Sequence, residues 1–232
     1  MDEDVIRKEW QWAEMFIKRT GRPDRLFGVE KERSSLVIVD MQNAFVAPSG
    51  TIEASGARET VDNINIMAGA CRDAGIPVIW VVSKFRTEAD WGLIIKFEPG
   101  SPISPDRCSP LEELKWDAEG AKLWPELVVD AEKDYEIIKC RYSAFISGSS
   151  NLERLLRTLQ RDNLIITGVA TNACVAATAM DAMMLDFKVT VVRDATAAFT
   201  DTLKQAYLMN LKMVFADVLS TAEILEEIRS IT

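Results

Sequence analysis

The sequence contains no histidine. That absence removes the Ser-His-Asp triad, the Cys-His pair and every imidazole zinc ligand. Acid–base work is left to Asp, Glu, Lys, Tyr or Cys. Cysteine is scarce too: Cys71, Cys108, Cys140 and Cys174 are the only four, and none forms a C-x-x-C. A thiolate zinc knuckle is therefore not expected, and neither a metal nor any other cofactor is expected. No apolar run approaches the ~20 residues needed to span a bilayer. Met1 to Trp10 is charged and lacks the apolar stretch of a secretory signal. The expected compartment is the reducing cytoplasm, with free thiols. Positive charge is outnumbered, with 27 Lys+Arg against 36 Asp+Glu and a net charge of -9. That balance argues against nucleic acid or an anionic membrane as the main partner.

What is present is an ordinary globular composition: 232 residues, 48% hydrophobic and 27% charged, enough to bury one sizeable core. Strand-like and helix-like runs alternate. Leu36 to Val39 is a β-branched run that ends at Asp40. Val61 to Ala74 carries Ile64, Met67, Ala68 and Cys71 at helical spacing, and Gly75 stops it. Strands are predicted at Pro77–Val82, Tyr135–Lys139, Leu164–Thr167, Val189–Val192 and Met213–Phe215. Helices are predicted at Leu152–Leu159, Ala173–Leu185, and from Thr202 and Ala222. Continuous apolar strands alternating with helices predict an α/β fold, a Rossmann-like doubly wound parallel sheet covered on both faces.

Two segments break this rhythm. Residues 3–19 read as an extra helix bearing Trp10, Trp12 and Phe16, so residues 1–30 are taken as an N-terminal helical extension and 31–232 as the α/β domain. Residues 84–134 read as a long insertion with Pro99, Pro102, Pro105 and Pro110. Long irregular stretches inside compact domains commonly serve as lids.

Ligands of open α/β sheets bind beyond the carboxyl ends of the strands. Three chemically capable residues fall there: Asp40 after the first strand, Lys139 closing the third, and Cys174 just after the fourth. Taken singly each is ambiguous. Asp caps helices, a strand-end Lys is often solvated, and a lone Cys is often a small core residue. Cys71 fits the apolar face of its helix, and Cys140, beside Lys139, points the other way by strand alternation. Cys174 differs, because a helix N-terminus and a nearby ammonium would lower its pKa. With histidine missing, Asp40 is the candidate proton carrier.

Three blocks now matter together: Val37-Ile38-Val39-Asp40-Met41-Gln42-Asn43, Lys139-Cys140-Arg141-Tyr142-Ser143-Ala144-Phe145 and Gly168-Val169-Ala170-Thr171-Asn172-Ala173-Cys174-Val175. In order and spacing they resemble the signature blocks of the isochorismatase-like cysteine hydrolases, over roughly residues 34–228. The resemblance implies a catalytic set of Asp40, Lys139 and Cys174. It also implies a cis peptide before Ala170, so that the Ala170 and Cys174 N–H groups form an oxyanion hole. Gln42, Phe45, Ser83, Phe85, Tyr142 and Asn172 are the candidate substrate-binding residues, with Gln42 also a candidate to orient Asp40. Arg86, Arg107 and Lys115 are candidates to anchor a substrate carboxylate. A homo-oligomer, dimer or tetramer, is the assembly that the resemblance implies.

Branches of that family separate by what this chain lacks. Nicotinamidase-like members hold a metal through an Asp and two His, which are missing here. True isochorismatases lack the Cys. Arg141-Tyr142-Ser143 and Ala170-Thr171-Asn172 are most similar to the ureidoacrylate hydrolase pattern. The implied activity is metal-independent hydrolysis of a C–N bond in a small ureido, carbamoyl or amide compound of ureidoacrylate, biuret, triuret or N-carbamoyl type. The alternatives are a maleamate-type amidase, a non-catalytic member that binds a small molecule, and a cysteine redox sensor.

Overall fold

The computed structural model describes residues 3–48, 50, 52–54, 56–86 and 110–231. Its centre is a sheet of six parallel strands in the order β3-β2-β1-β4-β5-β6. The strands are β1 (Ser34–Val39), β2 (Val78–Ser83), β3 (Tyr135–Lys139), β4 (Asn163–Val169), β5 (Lys188–Ala197) and β6 (Asp217–Leu219). β1, β2 and β4 are buried at every position, as strands covered on both faces must be. Even and odd residues feed different layers. Leu36, Ile38, Trp80 and Ile165 pack with the helices α3 (Val61–Ala74) and α8 (Thr221–Ile231). Val37, Val39, Ile79 and Ile166 pack with α5 (Leu152–Thr158), α6 (Ala176–Met184) and α7 (Asp201–Asn210).

Local chemistry sets the boundaries. Gly75 takes a left-handed φ of 75°, and the Gly75 and Ile76 N–H groups close on the Arg72 and Cys71 carbonyls. This is a Schellman ending, and it puts Ile76 into the core before β2 starts. Thr200 caps α7 through its hydroxyl, which accepts the Leu203 N–H at 3.2 Å. Arg72 grips Asp134 with two hydrogen bonds of 2.8 and 2.6 Å, and the Trp80 indole N–H donates to the same carboxylate at 2.8 Å. α3, β2 and the approach to β3 are thereby tied together.

One predicted strand is misplaced. Met213–Phe215 is no strand; it lies in a π-helical turn, Leu211–Phe215, that continues α7. The Ala216 N–H closes on the Leu211 carbonyl at 2.8 Å, and Val214 is half exposed. The edge strand starts at Asp217 instead. Its buried carboxylate accepts the Leu26 and Phe27 N–H groups at 2.8 and 2.7 Å, which fastens the N-terminal segment along that edge. α6 also starts later than the spacing predicts, because a π-helical turn, Thr171–Val175, precedes it.

The N-terminal helix α1 (Glu3–Arg19) buries Ala13 and Ile17, and the Trp10 indole bonds Gln205 of α7 at 3.2 Å. Trp12 and Phe16 stack on each other on its outer side, half exposed. Residues 87–109 of the expected lid, Arg107 and Cys108 among them, lie outside the described residues. The bridge Gln42 to Leu123 joins the insertion to the segment after β1, beside the short helix α2 (Asn43–Val46), and within the insertion Phe85 pairs with Lys115, just after the short helix α4 (Pro110–Glu113).

Gly168 is the tightest point of the sheet. It has φ +100°, and a Cβ there would strike the Val39 carbonyl oxygen and backbone nitrogen. Gly168→Ala should cost more than about 2 kcal/mol or prevent folding. Gly69, inside α3 with open space at its Cβ position, is the control, and Gly69→Ala should gain about 1 kcal/mol. Urea unfolding of both variants checks the pair.

Candidate active site

In a sheet of this order the crevice lies where the winding reverses, between β1 and β4. Asp40 leaves β1 there, with φ 52°, a left-handed conformation that Asp tolerates better than most side chains. Its N–H is held by the Val81 carbonyl at 2.8 Å. Cys174 sits in the π-helical turn after β4. Lys139 closes β3, in register with Ser83 at the end of β2. The three predicted groups converge. Lys139 Nζ is 2.8 Å from Asp40 Oδ2 and 3.2 Å from Cys174 Sγ. Asp40, Lys139 and Cys174 are 0%, 1% and 5% exposed, so the charges meet in a medium of low polarity, where their coupling is strong.

Burial also sets the protonation states. Taken alone it would pull the Lys139 ammonium down, yet Asp40 and Cys174 hold that ammonium above its usual range. The expectation of a lowered cysteine pKa is overturned. Burial and then the Asp40 charge push the Cys174 thiol up, and Lys139 only partly opposes them. The helix N-terminus that was to help lies at Ala176, beyond the π-helical turn. Both causes, burial and the Asp40 charge, favour the thiol form of Cys174 over the thiolate.

The other predicted site residues divide. Ser83 does not line open space. It is 4% exposed, and its hydroxyl accepts from Lys139 Nζ at 2.7 Å and donates to Asp40 Oδ1 at 3.0 Å. Gln42 neither orients the Asp40 carboxylate directly nor faces a ligand. Its fully buried amide donates to the Ser83 and Ala121 carbonyls at 2.9 and 2.8 Å and accepts the Ser83 N–H at 2.7 Å. The block Asp40-x-Gln42 thus clamps the end of β2. Phe45 and Phe85 are buried in the apolar cluster that includes Ala170. Tyr142 is 46% exposed, and its phenol is pushed up by burial and by Cys174, with Lys139 opposing, so it faces the same charges. Asn172 is half-buried, and its Oδ1 is buried with no partner among the described residues. Arg86 stacks on the Trp116 ring, 4.3 Å from its centroid, and Lys115 pairs with Glu112 at 2.6 Å.

The Val169–Ala170 peptide is cis, as the resemblance implies. The Ala170 carbonyl accepts the Ala173 and Val175 N–H groups at 2.9 and 3.2 Å. Sequence reasoning missed two supports of this turn. Thr196 donates to the Gly168 carbonyl at 2.6 Å, and the Thr171 and Thr196 hydroxyls meet at 2.9 Å. A threonine near the end of an apolar strand carries no signal that would single it out. The Arg141 carbonyl, another acceptor of Lys139 at 3.0 Å, was invisible for the same reason. Cys71 is buried and its thiol is pushed up to about 12 by burial. Cys140 points to the Gly148 and Ser149 carbonyls. Among the described residues no three His, Cys, Asp or Glu side chains are grouped to hold a metal ion. A cavity of 720 Å³ beside α1, lined by Met15, Lys18, Arg193 and Lys212 among others, shares no residue with the crevice.

Known proteins agree with this architecture. The isochorismatase domain family matches residues 34–223. A probable inactive nicotinamidase of Arabidopsis thaliana is 34% identical over 182 residues, covering 78% of this chain and 89% of that protein. Ureidoacrylate amidohydrolase RutB of Caulobacter vibrioides is 31% identical over 223 residues, covering 87% of this chain and 93% of its own. A cysteine hydrolase of Pseudomonas syringae superposes with a TM-score of 0.81 at 23% identity, over 91% of this chain and 99% of the other.

The buried pair can be tested without a substrate. Lys139→Met should destabilise the fold by about 3 kcal/mol, since it strands a buried carboxylate. Asp40→Asn added to it should recover part of that loss. Urea midpoints of the two single variants and the double variant decide. Additive losses would mean that the charges do not interact.

Proposed function

The chain belongs to the isochorismatase family, and on that premise we propose that it is a metal-independent cysteine amidohydrolase acting on a small ureido or carbamoyl compound. The observation that carries this reading is the buried ammonium of Lys139, 2.8 Å from the Asp40 carboxylate and 3.2 Å from the Cys174 sulfur. A thiol, a base and a fixed positive charge are the parts that nucleophilic attack on an amide carbonyl needs.

The steps follow from the protonation states. Asp40 takes the proton from the neutral thiol as sulfur attacks the carbonyl carbon, and the C=O electron pair moves to oxygen. The Ala170 and Cys174 N–H groups receive that oxyanion. As the tetrahedral carbon collapses, the C–N bond breaks and Asp40 returns the proton to the departing nitrogen, releasing ammonia or an amine. Water, deprotonated by Asp40, then attacks the acyl- or carbamoyl-enzyme, and sulfur leaves with the proton. Carbamate is the product when a carbamoyl group was transferred. Lys139 stays charged throughout and offsets whichever partner is negative.

The ureido preference is supported by the similarity to ureidoacrylate amidohydrolase RutB. Asn172 Oδ1, an acceptor without a partner among the described residues, suits the N–H groups of a urea. The relative with "inactive" in its name makes the non-catalytic reading the one to exclude. An ammonia-release screen over ureidoacrylate, biuret, triuret, N-carbamoyl amino acids and maleamate tests both. Turnover of a ureido compound is expected, while turnover of maleamate alone would move the substrate class to simple amides.

With a substrate in hand, Cys174→Ala should abolish turnover and leave the circular dichroism spectrum unchanged. Asp40→Asn and Lys139→Ala should each cost at least ~100-fold in rate. Parent-level turnover by Cys174→Ala would sink the nucleophile assignment. Prolonged dialysis against a chelator should leave the rate unchanged, and a loss that a divalent ion restores would show that a metal takes part.

A further inference from the structure

Lys139 Nζ has four acceptors around it. Ser83 Oγ lies at 2.7 Å, Asp40 Oδ2 at 2.8 Å, the Arg141 carbonyl at 3.0 Å and Cys174 Sγ at 3.2 Å. The three ammonium hydrogens go to Ser83, Arg141 and Cys174, and Asp40 Oδ2 is held beside them as the ion partner. Ser83 is the acceptor that also acts on a second group, because its own hydrogen goes to Asp40 Oδ1 at 3.0 Å. The hydroxyl is not free to drift. The Ser83 main chain is held on both its N–H and its carbonyl by Gln42, at 2.7 and 2.9 Å, and Gln42 is itself anchored on Ala121 at 2.8 Å.

We propose that Ser83 is a positioning residue that keeps the mobile proton on the Cys174 sulfur until a substrate carbonyl is in place. Asp40 and Cys174 share one proton, and two arrangements have the same total charge: thiol with carboxylate, or thiolate with carboxylic acid. Lys139 is an ammonium in both. The Ser83 O–H into Oδ1 stabilises the ionised carboxylate, since a donated hydrogen bond favours the charged form. That donation favours thiol with carboxylate.

The other groups facing the sulfur do not change this comparison. Tyr142, after β3, is a neutral phenol coupled to both Cys174 and Lys139. Arg141 presents its main-chain carbonyl to Lys139, and its guanidinium bonds the Cys140 carbonyl at 2.7 Å. The device has a clear use. A standing thiolate is the form that oxidants and stray electrophiles attack, whereas a thiol that ionises only during attack is protected between turnovers.

The inference rests on reading Cys174 as nucleophile and Asp40 as its base, but its test needs no substrate. The ultraviolet thiolate absorbance of Ser83→Ala is compared with the parent at neutral pH, with Cys174→Ala added to each as the blank. Iodoacetamide alkylation of Cys174, followed by intact mass, is run on the same proteins. Ser83→Ala should show a thiolate band that vanishes with Cys174→Ala. Its alkylation should be at least ~10-fold faster, the change that a one-unit shift in proton distribution produces. Ser83→Thr keeps a hydroxyl and should match the parent. No thiolate band in Ser83→Ala, an equal band in the parent, or Ser83→Thr behaving like Ser83→Ala would overturn the proposal. Ser83→Gly is the second hydroxyl-free variant if Ser83→Ala does not fold. If neither folds while Ser83→Thr does, the hydroxyl serves stability and the proposal falls. A thiolate signal in Ser83→Ala alongside a failed substrate screen would leave this inference standing and sink the proposed activity alone.

Discussion

The buried ammonium of Lys139 is the constraint on which the crevice depends. Lys139 is 1% exposed, and removing a charge of that size from water costs several kcal/mol unless partners surround it. Asp40, Ser83, Arg141 and Cys174 are those partners, and four separate stretches of chain must bring them within 3.2 Å of one nitrogen. The sheet can do so because parallel strands end at one rim. The register pairing Ser83 with Lys139 puts their side chains on the same level of neighbouring strands. A slip of one residue would turn Lys139 to the opposite face and strand its charge in hydrocarbon. The electrostatics of the crevice therefore enforce the register of strands that periodicity alone leaves loose.

The same demand shapes the turn after β4. Gly168 lies against the Val39 backbone, where no side chain fits, and that close approach brings the end of β4 next to Asp40. The β4–β5 register shifts between Ile166 and Gly168, and Thr196 of β5 then reaches the Gly168 carbonyl. The following residues form a π-helical turn rather than the first turn of α6. Wide turns of this kind occur often at functional sites. Here the turn carries the sulfur inward, between the Ala170 backbone and Lys139. Hydroxyls of Thr171 and Thr196 hold its base, so Cys174 sits on a braced segment and not on a loose loop.

Burial has a chemical consequence as well. A cysteine at an exposed helix start would ionise readily and react with many electrophiles. Cys174 is 5% exposed and keeps its proton. Gln42 contributes to the site from behind the reacting groups, through the backbone of β2. That explains how an apparently polar pocket residue can be wholly enclosed.

Much of this was legible from local order alone. Runs such as Leu36–Val39 and Leu164–Thr167, broken by helical spacing and by Gly75, are enough to call a parallel α/β sheet, because hydrophobic period and turn chemistry are properties of short segments. Asp40, Lys139 and Cys174 stood out because each ends or follows a strand and carries a reactive group. Other features arise only when distant segments touch. Met213–Phe215 has the β-branched and aromatic character of a strand, but the partner of the edge is Asp217, whose carboxylate finds the Leu26 and Phe27 backbone across the molecule. Ser83 looked like a residue facing a ligand, yet in the fold it completes the Lys139 shell. The raised thiol pKa follows from desolvation, which no stretch of sequence records. Chain order specifies which groups exist and which strands carry them. Packing determines how much water each group keeps, and hydration decides where the proton rests.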